Sequence, residues 1–300
     1  MAGFPSLRIA SVGEFLSAVG RDTEGWGREG NVRPWFRGQA DAADPPLPSV
    51  LRQEYDQVQM TLTFRNRASA YHDCPAQDQI AEWLFLMQHY GLPTRLLDWT
   101  ESPLIACLFA VEEVLRHQKA GPRSATGGMP EEPGDMGIWV LHPIKLNELS
   151  DIPGFELVTR AQCRTLENFK FAFGTAGELA GRVKGLEPTH LPLAVQARHL
   201  DMRMAGQQSC FTVHGSERKD FEVLLEDTPL VHDGFFRKYL LARRLASQLL
   251  LELDELGISY ATMYPDLHGL STQLKLRFKG RPHQPMISPF NRMRDGQPRS

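Results

Sequence analysis

The stretch Gln88-His-Tyr-Gly-Leu-Pro-Thr-Arg-Leu-Leu-Asp-Trp-Thr-Glu-Ser-Pro103 packs a helix end, a turn, a short strand and a helix start into sixteen residues. Ahead of it, Ile80 to Tyr90 sets Ile80, Trp83, Leu84 and Met87 on one helical face. Gly91 is suited to the helix C-cap, and Pro93 stops any continuation. Arg95 to Trp99 is short and extended. Asp98 and Thr100 alternate with Leu97 and Trp99, so they share one face of that strand. Behind it, Ser102 offers an N-cap, and Pro103 takes the first helical position, where a missing N–H is harmless. That helix runs to about His117 and is apolar nearly all round at its start, which predicts a place in the centre of the domain. The Asp98–Thr100 face leads to the helix N-terminus, whose free N–H groups favour an anion. Two readings stay open: the pair contributes to a binding site, or it only caps the helix.

Upstream, Val32 to Arg37 reads as a strand entering a turn at Gly38, within Trp35-Phe-Arg-Gly-Gln39. An Arg at the end of an apolar strand is held by a packed scaffold. Its planar fork can grip a phosphate or carboxylate with two parallel hydrogen bonds, or it can form an internal ion pair. Gly38 permits a tight turn or the close approach of a ligand. Ser11-Val-Gly-Glu14 is a capping box opening a short helix, Val12 to Val19. A polar, Gly-rich turn follows from Arg21 to Gly30. Asp41 to Pro48 is loop, and Ser49 to about Tyr71 is helical.

Downstream, Lys119 to Met136 is rich in Gly, Pro and Ser and is expected to be an exposed, mobile insertion. Gly137 to Leu141, Leu193 to Ala197 and Cys210 to His214 read as strands, with a helix expected from Thr175 to Val183. Phe221 to Leu225 reads as an edge strand, Phe235 to Leu256 as one long helix, and Ser259 to Tyr264 as a final strand. Asp266 or His268 then starts a last helix. Cys210, Thr212 and His214 share a strand face; a catalytic Cys–His pair there would need an electropositive setting. The tail beyond Lys275 is basic and Pro-rich, and is expected to be loose. The expected architecture is a single large α+β domain, a mixed and mostly antiparallel sheet with helices packed on it. It divides into an N-terminal helix and turn (1–30), a main domain (31–277) and a basic tail (278–300).

The 300 residues are 42% hydrophobic and 23% charged, ordinary for a globular protein, with a formal net charge of −3. No global field draws the chain to nucleic acid or membrane, so any nucleic-acid contact must come from a local patch such as the basic tail. Cys74, Cys107, Cys163 and Cys210 lie far apart without CxxC spacing, which argues against a disulfide framework and a structural zinc. Neither a signal peptide nor a membrane span is legible. The reading is a cytoplasmic protein with reduced thiols.

Trp35–Gln39 together with HYGLPTRLLDWTESPLIACLFA resembles the FRG domain, a family named for its Phe-Arg-Gly motif. RMAGQQSCFTVH, from Arg203 to His214, is similar to the family's Arg…Gln…Phe-Thr segment. Tyr264-Pro-Asp-Leu-His-Gly-Leu270 is similar to its closing Phe-Pro-Asp-Leu-(acidic)-Gly-Leu, with His268 in place of the acidic residue. The likeness spans about 32–274.

The Arg37-Gly38 pair further resembles the Arg-Gly opening of some diphtheria-toxin-like ADP-ribosyltransferases. That resemblance implies an NAD-using transferase or NAD glycohydrolase. Arg37 would hold phosphate, with Gly38, Gln39, Arg95 and Ser102 on the cofactor-binding side. Tyr90 or Trp99 would stack on nicotinamide, and Thr100 or Ser102 would supply a hydroxyl. Asp266 or Asp98 would stabilise the positive ribosyl carbon, and His89 or His214 would act as base. The acceptor would be a nucleic acid, a protein or water, in a toxin or phage-defence setting, with no metal expected. The competing reading is a non-catalytic scaffold that binds a nucleotide, nucleic acid or protein partner, with Arg37, Arg95 and Asp98 in an internal ion network.

Overall fold

The computed structural model describes residues 4–26, 32–120, 134–152, 154, 168–170, 172, 188–196 and 202–278. The expected helix over 175–183, most of the expected insertion and the tail beyond 278 lie outside them.

The described residues form one α+β domain around a seven-stranded sheet: β1 (Ser6–Ile9), β2 (Trp35–Gln39), β3 (Leu96–Thr100), β4 (Met136–Leu141), β5 (Leu193–Val195), β6 (Ser209–Val213) and β7 (Phe236–Leu241). Their spatial order is β1-β7-β4-β2-β3-β6-β5. Only β1 and β7 run parallel; the other neighbours are antiparallel.

Alternation within the strands feeds separate cores. Phe36, Ile138, Val140, Tyr239 and Leu241 pack with α1 (Val12–Asp22) and with α5 (Pro103–Ala120). α2 (Ser49–Arg52) and α3 (Gln57–Ala68) precede α4 (Ile80–His89), whose Trp83 to Met87 join Leu96, Phe211 and Val213 in a second core. Trp35, Leu97, Trp99, Trp139 and Leu141 build a third on the opposite side of the sheet. There α6 (Pro143–Glu148) supplies Leu146. Ser102 begins α5 as expected, its hydroxyl accepting from the Ile105 N–H at 3.4 Å.

The short helix α7 (Met202–Gly206) leads into β6. Three expectations fail downstream of it. Phe221–Leu225 is not an edge strand but a helix, α8, because Asp220 caps it through the Val223 N–H at 3.1 Å and Phe221 and Leu225 bury one turn apart. A further turn, α9 (Pro229–His232), leads to β7. Phe235 to Leu256 is not one helix. Phe236–Leu241 is a strand paired on both edges, and only α10 (Ala246–Glu255) is helical, with Leu249 and Leu253 buried at four-residue spacing. Tyr239 and Leu240 fit the helical period by coincidence, and the two-sided ladder overrides it. Ser259 to Tyr264 is not a strand: Ser259 and Thr262 form a capping box that opens α11 (Tyr260–Met263). The last helix, α12 (Leu267–Phe278), starts where expected.

One seam of the sheet is incomplete. β2 pairs with β4 at five positions and β3 pairs with β6 at five, but β2 meets β3 at the single pair Phe36–Thr100. Beyond that pair the strands diverge, leaving a wedge between Arg37–Gln39 and Leu96–Asp98.

Candidate functional site

The wedge opens into a cleft of about 590 Å³, whose walls include Arg37, Gln39, Asp98, Arg203 and Tyr264. Arg37 spans its floor. Its Nη1 donates to the backbone carbonyl of Asp98 at 2.7 Å, and its Nε to Gln39 Oε1 at 2.8 Å. The side chain thus satisfies a β3 carbonyl that the ladder has abandoned. Gln39 is held in turn by donating to the Asp44 carbonyl at 2.7 Å. Neither bond of Arg37 goes to a carboxylate, and a guanidinium carries five N–H donors. Burial pulls the Arg37 pKa down, and the nearby charge of Asp98 opposes that shift.

Asp98 is the acidic counterpart. Its Oδ2 accepts from Gln88 Nε2 at 2.7 Å. Solvent reaches the residue through the cleft mouth, while protein surrounds its other sides. That enclosure pushes its carboxyl above the ordinary carboxylate value, against the pull of Arg37, Gln88 and Arg203. Arg203, exposed on α7, lies over the Tyr264 ring with its guanidinium carbon 4.8 Å from the centroid. Asp98 therefore feels two cations that belong to different elements.

The opposite wall is acidic. Glu113 Oε2 accepts from the Ala40 N–H at 3.2 Å, beyond the end of β2, and buried Glu112 accepts from the Tyr264 hydroxyl at 3.3 Å. Arg52 and Asp44, also on the rim, form an ion pair at 2.6 Å.

The fold has already engaged several expected site groups. Trp99 reaches the cleft wall, but its indole is buried in the third core, donating to Thr212 Oγ1 at 3.1 Å and packing edge-on to Phe221. The Thr100 hydroxyl donates to the Gln207 carbonyl at 2.7 Å and accepts from the Ser102 N–H at 3.1 Å, which ties the strand end to α7 and to the start of α5. Gly38 is not a turn or a ligand gap. It lies mid-strand against α5, where an added Cβ would come within 1.8 Å of the Ala106 carbonyl oxygen.

Other expected residues lie away from the cleft. Buried Arg95 donates to the Gly215 carbonyl at 2.7 Å, and buried Ser102 serves as the cap of α5. Tyr90 is exposed on a separate apolar groove of about 680 Å³ beside α3. Asp266 ends no strand: its Oδ1 accepts from the Gly269 N–H at 2.7 Å at the start of α12. His89 borders a small adjoining recess of about 60 Å³ shared with Asp98, Arg203 and Gln207. Cys210 and His214 are buried in or beside the third core, outside the cleft; burial raises the thiol pKa, and burial together with Arg95 pulls the imidazole down to about 3. Among the described residues, no group of three or more His, Cys, Asp or Glu side chains is arranged to hold a metal ion. No helix among them is long and apolar enough to cross a membrane.

Reading the chain alone missed Glu112 and Glu113, which interrupt an apolar run. The signal was helical spacing: Ala106 and Ala110 face Gly38, and Glu113 continues that row three residues on. Tyr264 was noticed within a motif, without a role.

Residues 33–119 match the FRG domain, which supports the family likeness read from the motifs. The match contains β2, β3, α5 except its last residue and the acidic wall; Arg203, Gln207 and Tyr264 lie beyond it. No curated protein and no solved structure gives a significant match to the chain.

Proposed function

We propose that the cleft binds NAD and transfers its ADP-ribosyl group to an acceptor. The observation that carries this reading is the Arg37 guanidinium, which keeps N–H donors to spare after its bonds to Gln39 and the Asp98 carbonyl, at the floor of a cleft that Glu112 and Glu113 also line. NAD bears both signs, a pyrophosphate and a cationic nicotinamide ring. Arg37 suits the pyrophosphate, by charge and by its fork of donors. Glu112 and Glu113 suit the ring.

In the reaction, the bond between the ribosyl carbon and the ring nitrogen breaks, and its electron pair leaves with nicotinamide. Positive charge passes to the ribosyl carbon, where Asp98 replaces Asp266 as the stabilising carboxylate. An acceptor oxygen or nitrogen supplies the new bond and gives up its proton, His89 in the adjoining recess serving as base. With water as acceptor the outcome is NAD hydrolysis. With a nucleic acid or protein it is a modification suited to a toxin or defence system.

A second reading is a nucleotide-binding scaffold without turnover. It is favoured by the engagement of the Thr100 hydroxyl and the Trp99 indole in structural bonds. Incubation with labelled NAD separates the two. Free nicotinamide from the native protein, lost in Arg37→Ala and in Asp98→Asn, supports transfer. NAD bound and recovered intact supports the scaffold, and no binding of NAD removes the transfer reading and any scaffold built on NAD.

A further inference from the structure

We infer that Arg203 and Gln207 form a second anchoring wall facing Arg37, so that the cleft holds a nucleoside diphosphate group at two points and selects it over a monophosphate. The inference rests on the nucleotide reading above and adds the residues and the selectivity.

Three observations carry it. First, Arg203 makes no ion pair with a carboxylate among the described residues; its guanidinium carbon lies 4.8 Å from the centroid of the Tyr264 ring, a contact that leaves its N–H donors available to an anion. Tyr264 is itself tied to α5 through Glu112. Second, the Gln207 side-chain nitrogen is buried and has no hydrogen-bond partner, although the residue lines both the cleft and its recess. A buried donor left unmet is costly, and an oxygen-rich ligand in the cleft meets it. The backbone of Gln207 is already fixed at both ends, its N–H donating to the Arg203 carbonyl at 2.9 Å and its own carbonyl accepting from Thr100 at 2.7 Å. The turn that carries this side chain is therefore fixed before a ligand arrives, and only the side chain has to adjust.

Third, Asp98 lies within the influence of both Arg37 and Arg203, and all three line the cleft. Asp44 and Glu113 also act on Arg37, so the cation without a carboxylate of its own is Arg203. A single phosphate satisfies one cation. A pyrophosphate, with its charge spread over two linked groups, addresses both, and Gln207 donates to an oxygen between or beside them.

The test is calorimetric titration of the full chain with ADP-ribose and with AMP, for the native protein, Arg203→Gln, Gln207→Ala, Gln207→Glu and Arg37→Ala, with thermal melting of each as a control. The expected native preference for ADP-ribose is at least about tenfold, one charge-assisted contact in affinity terms. In Arg203→Gln that preference collapses while AMP binding stays near native. Gln207→Glu weakens ADP-ribose more than Gln207→Ala does, because it sets a carboxylate against phosphate, which a purely packing role for Gln207 does not predict. If Arg203→Gln keeps the full preference while Arg37→Ala loses binding, the second anchor is refuted and the NAD reading stands. If the native protein binds neither compound, the NAD reading falls and this inference falls with it.

Discussion

Along its β4 edge, β2 is paired at every residue from Trp35 to Gln39; along its β3 edge it is paired only at Phe36. The sequence of β2 is the same on both edges, so the difference comes from its neighbours. On the closed side, Gly38 lets the strand lie directly on the α5 backbone, and the ladder runs to its end. On the open side a side chain replaces the ladder, with Arg37 reaching the Asp98 carbonyl that no strand amide serves. A sheet interrupted at its middle exposes polar backbone and needs a charged plug, and such a plug has donors to spare for a ligand. The contrast explains how a structural arginine and a binding arginine can be one residue.

The strongest way to break the closed side is Gly38→Ala. Its new methyl has no room against the Ala106 carbonyl, so the expected loss of stability is about 3 kcal/mol or more, measured by denaturant unfolding. A variant that folds like the native chain would show that strand and helix are not in backbone contact.

On the open side, Arg37→Ala removes the plug. NAD binding is expected to fall by about a hundredfold, while stability falls by about 1–2 kcal/mol, the range for one hydrogen bond to a charged group at a partly solvated site. Arg37→Lys restores the charge but not the fork, and should recover stability better than affinity. Equal recovery of both would separate the guanidinium geometry from binding.

His214 tests the closed seam between β3 and β6. Its backbone N–H donates to the Arg95 carbonyl at 3.0 Å and its ring is fully buried. Its folded pKa, depressed to about 3, lies below the ordinary histidine value of 6.5. Between these values the unfolded chain holds more protons, so stability declines as pH falls from about 6.5 towards 3, by at most about 1.4 kcal/mol per unit. Denaturant midpoints across that range should lose this component of the slope in His214→Gln. An unchanged slope would assign the acid sensitivity to other groups.

Asp266→Ala removes a helix cap outside the wedge. Stability should drop by about 1 kcal/mol with NAD binding untouched; a loss of binding would return Asp266 to the site. The smallest effect belongs to Asp98. Its folded pKa is raised, so the native state holds more protons than the unfolded chain across the carboxylate range and loses stability as pH rises through it. Asp98→Asn should therefore be slightly more stable at neutral pH, with the difference closing in acid. The open cleft keeps the effect small.

Much of this was legible from the chain. The helix stop at Gly91, the start at Ser102-Pro103, and the placement of Asp98 and Thr100 on one face all follow from local chemistry. What stayed hidden depends on partners. Period two says that Trp99 points away from Asp98, but only the fold shows Thr212 and Phe221 waiting on that side. Thr100 looked free because its acceptor, the Gln207 carbonyl, is more than a hundred residues away. The wedge itself has no signature in the residues, because a missing ladder is a relation between two strands. Phe236–Leu241 was lost to a helical period that continues honestly only from Leu245.

The outermost pairing, Ser6–Ile9 alongside Lys238–Leu241, has a bearing on how the chain is made. An emerging polypeptide carries β1 first and must wait for more than two hundred further residues before its partner leaves the ribosome. Contacts of such long range are slow to form and leave intermediate edges bare. The parallel zipper thus closes late, and a chain truncated before Phe236 leaves both β1 and the outer edge of β4 without a neighbour.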